Sequence, residues 1–116
     1  MALNISTMLK RLQVALNLSD QEMADYLMVS LSAFKEARAG KSGDDLPTHA
    51  TADLLDTLGF VKLGDLAVMI LPKRSREKLK AARARRALTI AQQNALKKLK
   101  KQLQDEYQQG RTGLAS

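Results

Sequence analysis

The sequence predicts an all-α protein: five helices over its first three-fifths, then one long basic helix. Three observations predict this. No segment alternates apolar and polar residues with a period of two, as a half-buried strand would. Apolar residues return at spacings of three and four from Ile5 to Ile70. Between Ser75 and Gln109 there is no Pro or Gly, and good helix formers (Ala, Leu, Lys, Arg, Gln) dominate. At 116 residues the chain suits one small domain, residues 1–72, plus a basic appendage, residues 73–116, whose end frays after 109 at Gly110 and Gly113.

Each element has its own signals. Ile5, Met8, Leu9, Leu12 and Leu16 make the apolar face of a first helix. Ser19 and Glu22 have the S-x-x-E spacing of a capping box, so a second helix starts there, with Met23, Ala24 and Leu27 facing inward. Leu18 precedes that helix and Val29 plugs the turn after it. Ser30 caps a third helix lined by Ala33, Phe34 and Ala37, and Gly40 stands where it stops. Pro47 followed by Ala50, Leu54, Leu55, Leu58 and Gly59 predicts a fourth. Leu63, Leu66, Ala67 and Ile70 predict a fifth.

The stretch from Asn17 to Gly40 has the spacing of a helix-turn-helix unit, which presents one short helix to the major groove of DNA. With its flanks, from about Ile5 to Leu71, it resembles the phage Cro and repressor (XRE-like) helix-turn-helix family. The resemblance implies a five-helix repressor-like domain and a bacterial or phage transcriptional regulator that binds double-stranded DNA as a homodimer. Leu31, Ser32 and Lys35 would then meet base edges, while Gln21, Arg38 and Lys41 would hold phosphates. Leu31 suits a thymine methyl, and Ser32 and Lys35 are hydrogen-bond donors. Glu36 suits a cytosine amino group or simply opposes the backbone. The chain departs from the family at two places. Asp20 stands where the family usually has a phosphate-touching Gln, and a carboxylate there repels phosphate. Met28 stands where the turn usually has Gly, which tolerates positive φ.

Charge divides the chain unevenly. Residues 1–72 carry a net charge of −3 and residues 73–116 a net +10, which together make the overall +7. Phosphate neutralisation supplies most non-specific affinity for nucleic acid, so the tail must provide it. The candidate contacts there are Arg74, Arg76, Lys78, Lys80, Arg83, Arg85 and Arg86, then Lys97, Lys98, Lys100 and Lys101. Ala87, Ala91, Ala95, Leu99, Leu103 and Tyr107 lie four apart with Leu88 and Leu96 beside them, an apolar stripe interrupted by Gln92 and Glu106. The tail thus reads as a nucleic-acid clamp, as a helix pairing its stripe with a second copy or a partner, or as a solvated face. Two other functions stay open for the whole chain: a protein-interaction module reusing the fold through the face of Asp20, Asp25, Met28, Leu31 and Glu36, and a non-specific DNA or RNA binder driven by the tail.

Other chemistries find no support. The chain has no cysteine, so there are no disulfides or thiolate zinc sites, as expected of a cytoplasmic protein. No signal peptide or membrane span is visible. The aromatics are Tyr26, Phe34, Phe60 and Tyr107, too few for base-stacking platforms. Gly40-Lys41-Ser42 resembles the end of a P-loop, but Lys35 replaces the required Gly and a helix precedes it. His49 is the lone histidine, without a nucleophile partner, and reads as a surface or core-edge residue. Asp44-Asp45 and Asp53/Asp56 read as helix-start and solvating carboxylates. No enzyme, metal or cofactor is predicted.

Overall fold

The computed structural model describes residues 4–40, 46–60 and 71–115, with side chains through Gln108. Six helices and no strand occur among them. The expected fifth helix at 63–70, Lys41 and the Asp44-Asp45 pair lie outside the described residues.

The first three helices start and stop where their caps dictate. In α1 (Ile5–Leu16) the Asn4 carboxamide accepts from the Thr7 N–H, and Asn17 closes the helix in the left-handed region at φ 53°. Helix α2 (Asp20–Leu27) begins with the full reciprocal capping box of Ser19 and Glu22. The Ser19 N–H bonded to Glu22 holds that carboxyl below its ordinary range. Met28 ends α2, also at φ 53°. After Val29, Ser30 caps α3 (Leu31–Ala39) by accepting from the Ala33 N–H, and Gly40 ends it at φ 72°. Helix α4 (Thr48–Thr57) follows Pro47, whose missing N–H is no loss at a helix start.

The basic segment folds as two helices, not as the single long one expected. Helix α5 (Lys73–Arg85) ends when Arg86 turns extended at φ −72°, ψ 133°. Helix α6 (Ile90–Ala115) then begins. Its start is fixed by a second capping box. The Thr89 hydroxyl accepts from the Gln92 N–H at 3.0 Å, and the Gln92 carboxamide oxygen accepts from the Thr89 N–H at 2.9 Å. Helix α6 runs through Gly110 and Gly113 to Ala115. Glycine within a helix costs only about 1 kcal/mol, and a helix this long tolerates it.

One apolar cluster takes side chains from both the acidic and the basic parts of the chain. Leu9, Leu12, Leu16, Met23, Leu27, Phe34, Leu54 and Leu58 are fully buried, and Leu99 and Leu103 of α6 join them. Burying a leucine contributes about 1.5–3 kcal/mol, so α6 belongs to the core energetically. It lies antiparallel against α1. Near its start the Gln92 amide donates to the Leu16 carbonyl at 2.9 Å, and near its end Glu106 accepts from Arg11 at 2.7 Å. The two polar residues that interrupt the apolar stripe are therefore its fastenings to α1. Beyond Leu99 and Leu103, Leu88 and Leu96 pack on the cluster, and Tyr107 meets Phe60 edge-on at 5.6 Å, while Ala87 and Ala91 stay exposed. Helix α5 packs on α4, burying Leu79 and Ala82.

Candidate nucleic-acid interface

The outward face of α3 lies open to solvent. Ser32, Lys35 and Glu36 are exposed and Leu31 is half-buried, while Phe34 and Ala37 anchor the helix from behind. Three separate contacts brace this helix. The Ser6 hydroxyl of α1 donates to the Arg38 carbonyl at its end. The Arg38 side chain donates to Asp20 of α2 and, at 2.9 Å, to the Gln13 carboxamide of α1, and it lies over the Phe34 ring at 5.0 Å. Gln13 in turn donates to Asp20 at 2.8 Å. The carboxylate at the expected phosphate position is thus internally neutralised. Arg38 holds its pKa down to about 2. Arg38, expected on phosphate, is instead the clasp that ties α1, α2 and α3 together.

The turn into α3 is fixed from a different direction. A non-glycine residue in the left-handed region is strained by about 1–2 kcal/mol, and Met28 occupies it. His49 supplies compensation. It is buried, and its Nε2 lies 3.0 Å from the carbonyl oxygens of both Leu27 and Met28. Both carbonyls accept, so Nε2 carries the hydrogen. The preceding carbonyl, Tyr26, accepts from Arg86 at 3.0 Å. The negative end of α2 is therefore capped by an imidazole from α4 and a guanidinium from beyond α5. His49 sits deeper than the core-edge place expected of it.

Arg86 does more than cap. It donates to both carboxylate oxygens of Asp53, at 2.9 Å for the longer bond, and stacks over the Tyr26 ring at 3.8 Å. Asp53 is fully buried, and burial also raises the Tyr26 pKa. Arg83 pairs with Asp56 and lies 3.9 Å from Asp53. Asp53 and Asp56 are three residues apart, as are Arg83 and Arg86, so the two pairs meet in register. These carboxylates dock the basic segment; they are not the solvating pair expected from sequence.

The remaining candidates divide between two helices. Arg74, Lys78, Lys80 and Arg85 are exposed on α5, and Arg76 is half-buried with a buried Nε that has no hydrogen-bond partner. Lys97, Lys98, Lys100 and Lys101 are exposed on α6. Gln21 is exposed on α2 and donates to Asp25 at 3.0 Å. Helix α5, packed on α4, lines two clefts together with residues of α2 and the turn after it. Its first half shares a cleft of about 330 Å³ with Met28, lined by Arg74, Glu77 and Lys78. Its end shares another of about 370 Å³ with Glu22 and Asp25, where Arg85 sits. Cations from the basic segment thus stand beside the acidic face of α2 and across the turn that leads into α3. The long sequence separation of these partners, 60 residues for Arg86 and Tyr26, hides the arrangement from a local reading.

No group of three or more metal-ligating side chains and no helix long and apolar enough to cross a membrane occurs among the described residues. No protein-family model, curated protein or solved structure matches the chain.

Proposed function

We propose that the chain is a DNA-binding transcriptional regulator of bacterial or phage type. In this reading α1 to α4 belong to a repressor-like helix-turn-helix domain and α3 enters the major groove. The observation that carries it is the exposed face of Ser32, Lys35 and Glu36, with half-buried Leu31 beside it, on a helix clasped at its end by Arg38 and at its entry by His49. A reading helix must keep its geometry when it meets bases, and these braces supply that rigidity. Ser32 and Lys35 donate to base edges and Leu31 meets a thymine methyl. Gln21 reaches a phosphate. Arg74 and Lys78, across the turn from α3, grip the backbone flanking the groove, and the α6 lysines extend the cationic surface. A cytoplasmic homodimer on paired half-sites completes the proposal.

Neutralisation of Asp20 by Arg38 removes the repulsive charge that the sequence placed near a phosphate. The same pairing weakens the reading of α2 and α3 as an acidic protein-binding face, since Asp20 is engaged and Arg85 stands near Asp25. The non-specific tail reading loses Arg83 and Arg86, both engaged by α4. Titration of a labelled duplex by fluorescence anisotropy tests the proposal. With about six phosphates engaged, log K falls against log salt with a slope of about −5. Ser32→Ala with Lys35→Ala removes preference among duplexes and leaves most of that slope. A slope near zero with every duplex rules the proposal out.

A further inference from the structure

Between α1 and α6 runs an open groove of about 450 Å³ whose walls include Val14 and Ala15 on one side and Ala95 and Leu99 on the other. Val14 is 80 % exposed, although valine in a helix face next to the core is ordinarily covered. Ala91, exposed one turn before Ala95, continues the apolar row along α6. The rim is cationic. Lys10 and Lys98 line it and are exposed, and Arg11 lines it while paired to Glu106. No residue of α2 or α3 takes part, so the groove is separate from the α3 reading face, and Lys98 is the one α6 lysine it shares with the cationic surface assigned above.

We propose that this groove receives an acidic amphipathic segment of a partner protein, its apolar side on Val14 and Ala95 and its carboxylates on Lys10 and Lys98. Two features select this occupant. The apolar floor with cations along its edge matches a helix bearing apolar residues on one side and carboxylates on the flanks. A duplex would meet only the rim cations and leave Val14 in water. A second copy meeting the groove by two-fold symmetry would set Lys10 and Lys98 against like charges of its own kind, an arrangement that like-charge repulsion disfavours.

The full chain is titrated with three fluorescein-labelled synthetic helices. One carries Leu on one face and Glu on the others, one has Lys in place of Glu, and one has the acidic composition scrambled so that no apolar face forms. The acidic amphipathic helix binds, with amide shifts grouped at Val14, Ala15, Ala95, Lys98 and Leu99. Val14→Glu weakens it at least about tenfold, because a buried valine contact is lost and a repelling charge gained. Lys98→Glu weakens it in the same direction. Val14 is exposed, so Val14→Glu keeps its helical circular dichroism and its cooperative melt. Equal binding of the basic or scrambled helix, no binding below about 1 mM, or indifference to Val14→Glu overturns the proposal. So does sedimentation in which the native chain is a dimer and Val14→Glu a monomer, which would make a second copy the occupant. None of these outcomes depends on whether α3 binds DNA.

Discussion

Replacing Arg86 with alanine strands the Asp53 carboxylate inside the protein. Asp53 is fully buried, and Arg86 supplies both of its hydrogen bonds as well as the donor to Tyr26 O and the cation over the Tyr26 ring. Removing one partner of a buried ion pair costs about 3–5 kcal/mol. Arg83 stands 3.9 Å from the same carboxylate, with its side chain 42 % exposed, and shifts over in part, so the lower end applies. A loss of about 3 kcal/mol is a large share of the 5–15 kcal/mol typical of a folded domain, and at about 4 °C per kcal/mol it lowers the melting temperature by roughly 12 °C. Arg86→Lys recovers little, since an ammonium lacks the two-pronged geometry and the flat face that stacks on Tyr26. Arg86→Met combined with Asp53→Leu recovers most of the loss, because an apolar pair of similar volume leaves no buried charge. Urea unfolding followed by circular dichroism measures all three. An Arg86→Ala chain within about 1 kcal/mol of the native one would refute the reasoning, since that is the worth of an exposed pair.

Four further outcomes follow from the same geometry. A chain ending at residue 72 loses Leu99 and Leu103 from the core and the cations that cover Asp53, so its thermal melt loses cooperativity; a sharp calorimetric transition in that fragment would contradict this. The folded Asp20 carboxyl sits at about 2 against an ordinary 3.8, so its pairing with Arg38 stabilises the fold above the ordinary value and is lost as pH falls through the folded one. Asp20→Asn removes this contribution, so its urea midpoint changes less than the native one between pH 5 and pH 2. Gly59→Ala destabilises by about 1–2 kcal/mol: the residue has φ 83°, and an added Cβ would lie 2.6 Å from the Lys100 Cε, so Gly59→Ala with Lys100→Ala recovers only the steric part in the same denaturation assay. Gln92→Ala breaks the capping box of α6 and its bond to Leu16, for a loss of about 1–2 kcal/mol, and raises amide exchange in the first turn of α6.

The first four helices were readable from local patterns because their determinants are local. Ser19 and Glu22, Ser30 and Gly40 are caps whose partners lie within three or four residues, and Met28 takes the left-handed conformation that glycine usually supplies at that place. The fastening of the basic segment was not readable this way. Asp20 reads as a hostile charge from its own neighbourhood, because the Arg38 that pairs with it stands 18 residues away. Arg83 and Arg86 repeat the three-residue spacing of Asp53 and Asp56, the one sign in the sequence that the two pairs match. Thr89 and Gln92 carried a recognisable T-x-x-Q start signal, masked by the absence of Pro or Gly around it. His49 offered no signal, since nothing local reveals that two carbonyls of another helix converge on its ring.

Selection of binding sites from random duplex DNA at moderate salt, using the full chain, tests the assignment of α3 most directly. A single enriched sequence is expected, with its preference abolished by Ser32→Ala and Lys35→Ala. A pool that remains random, or an enriched sequence to which those two substitutions make no difference, would contradict it.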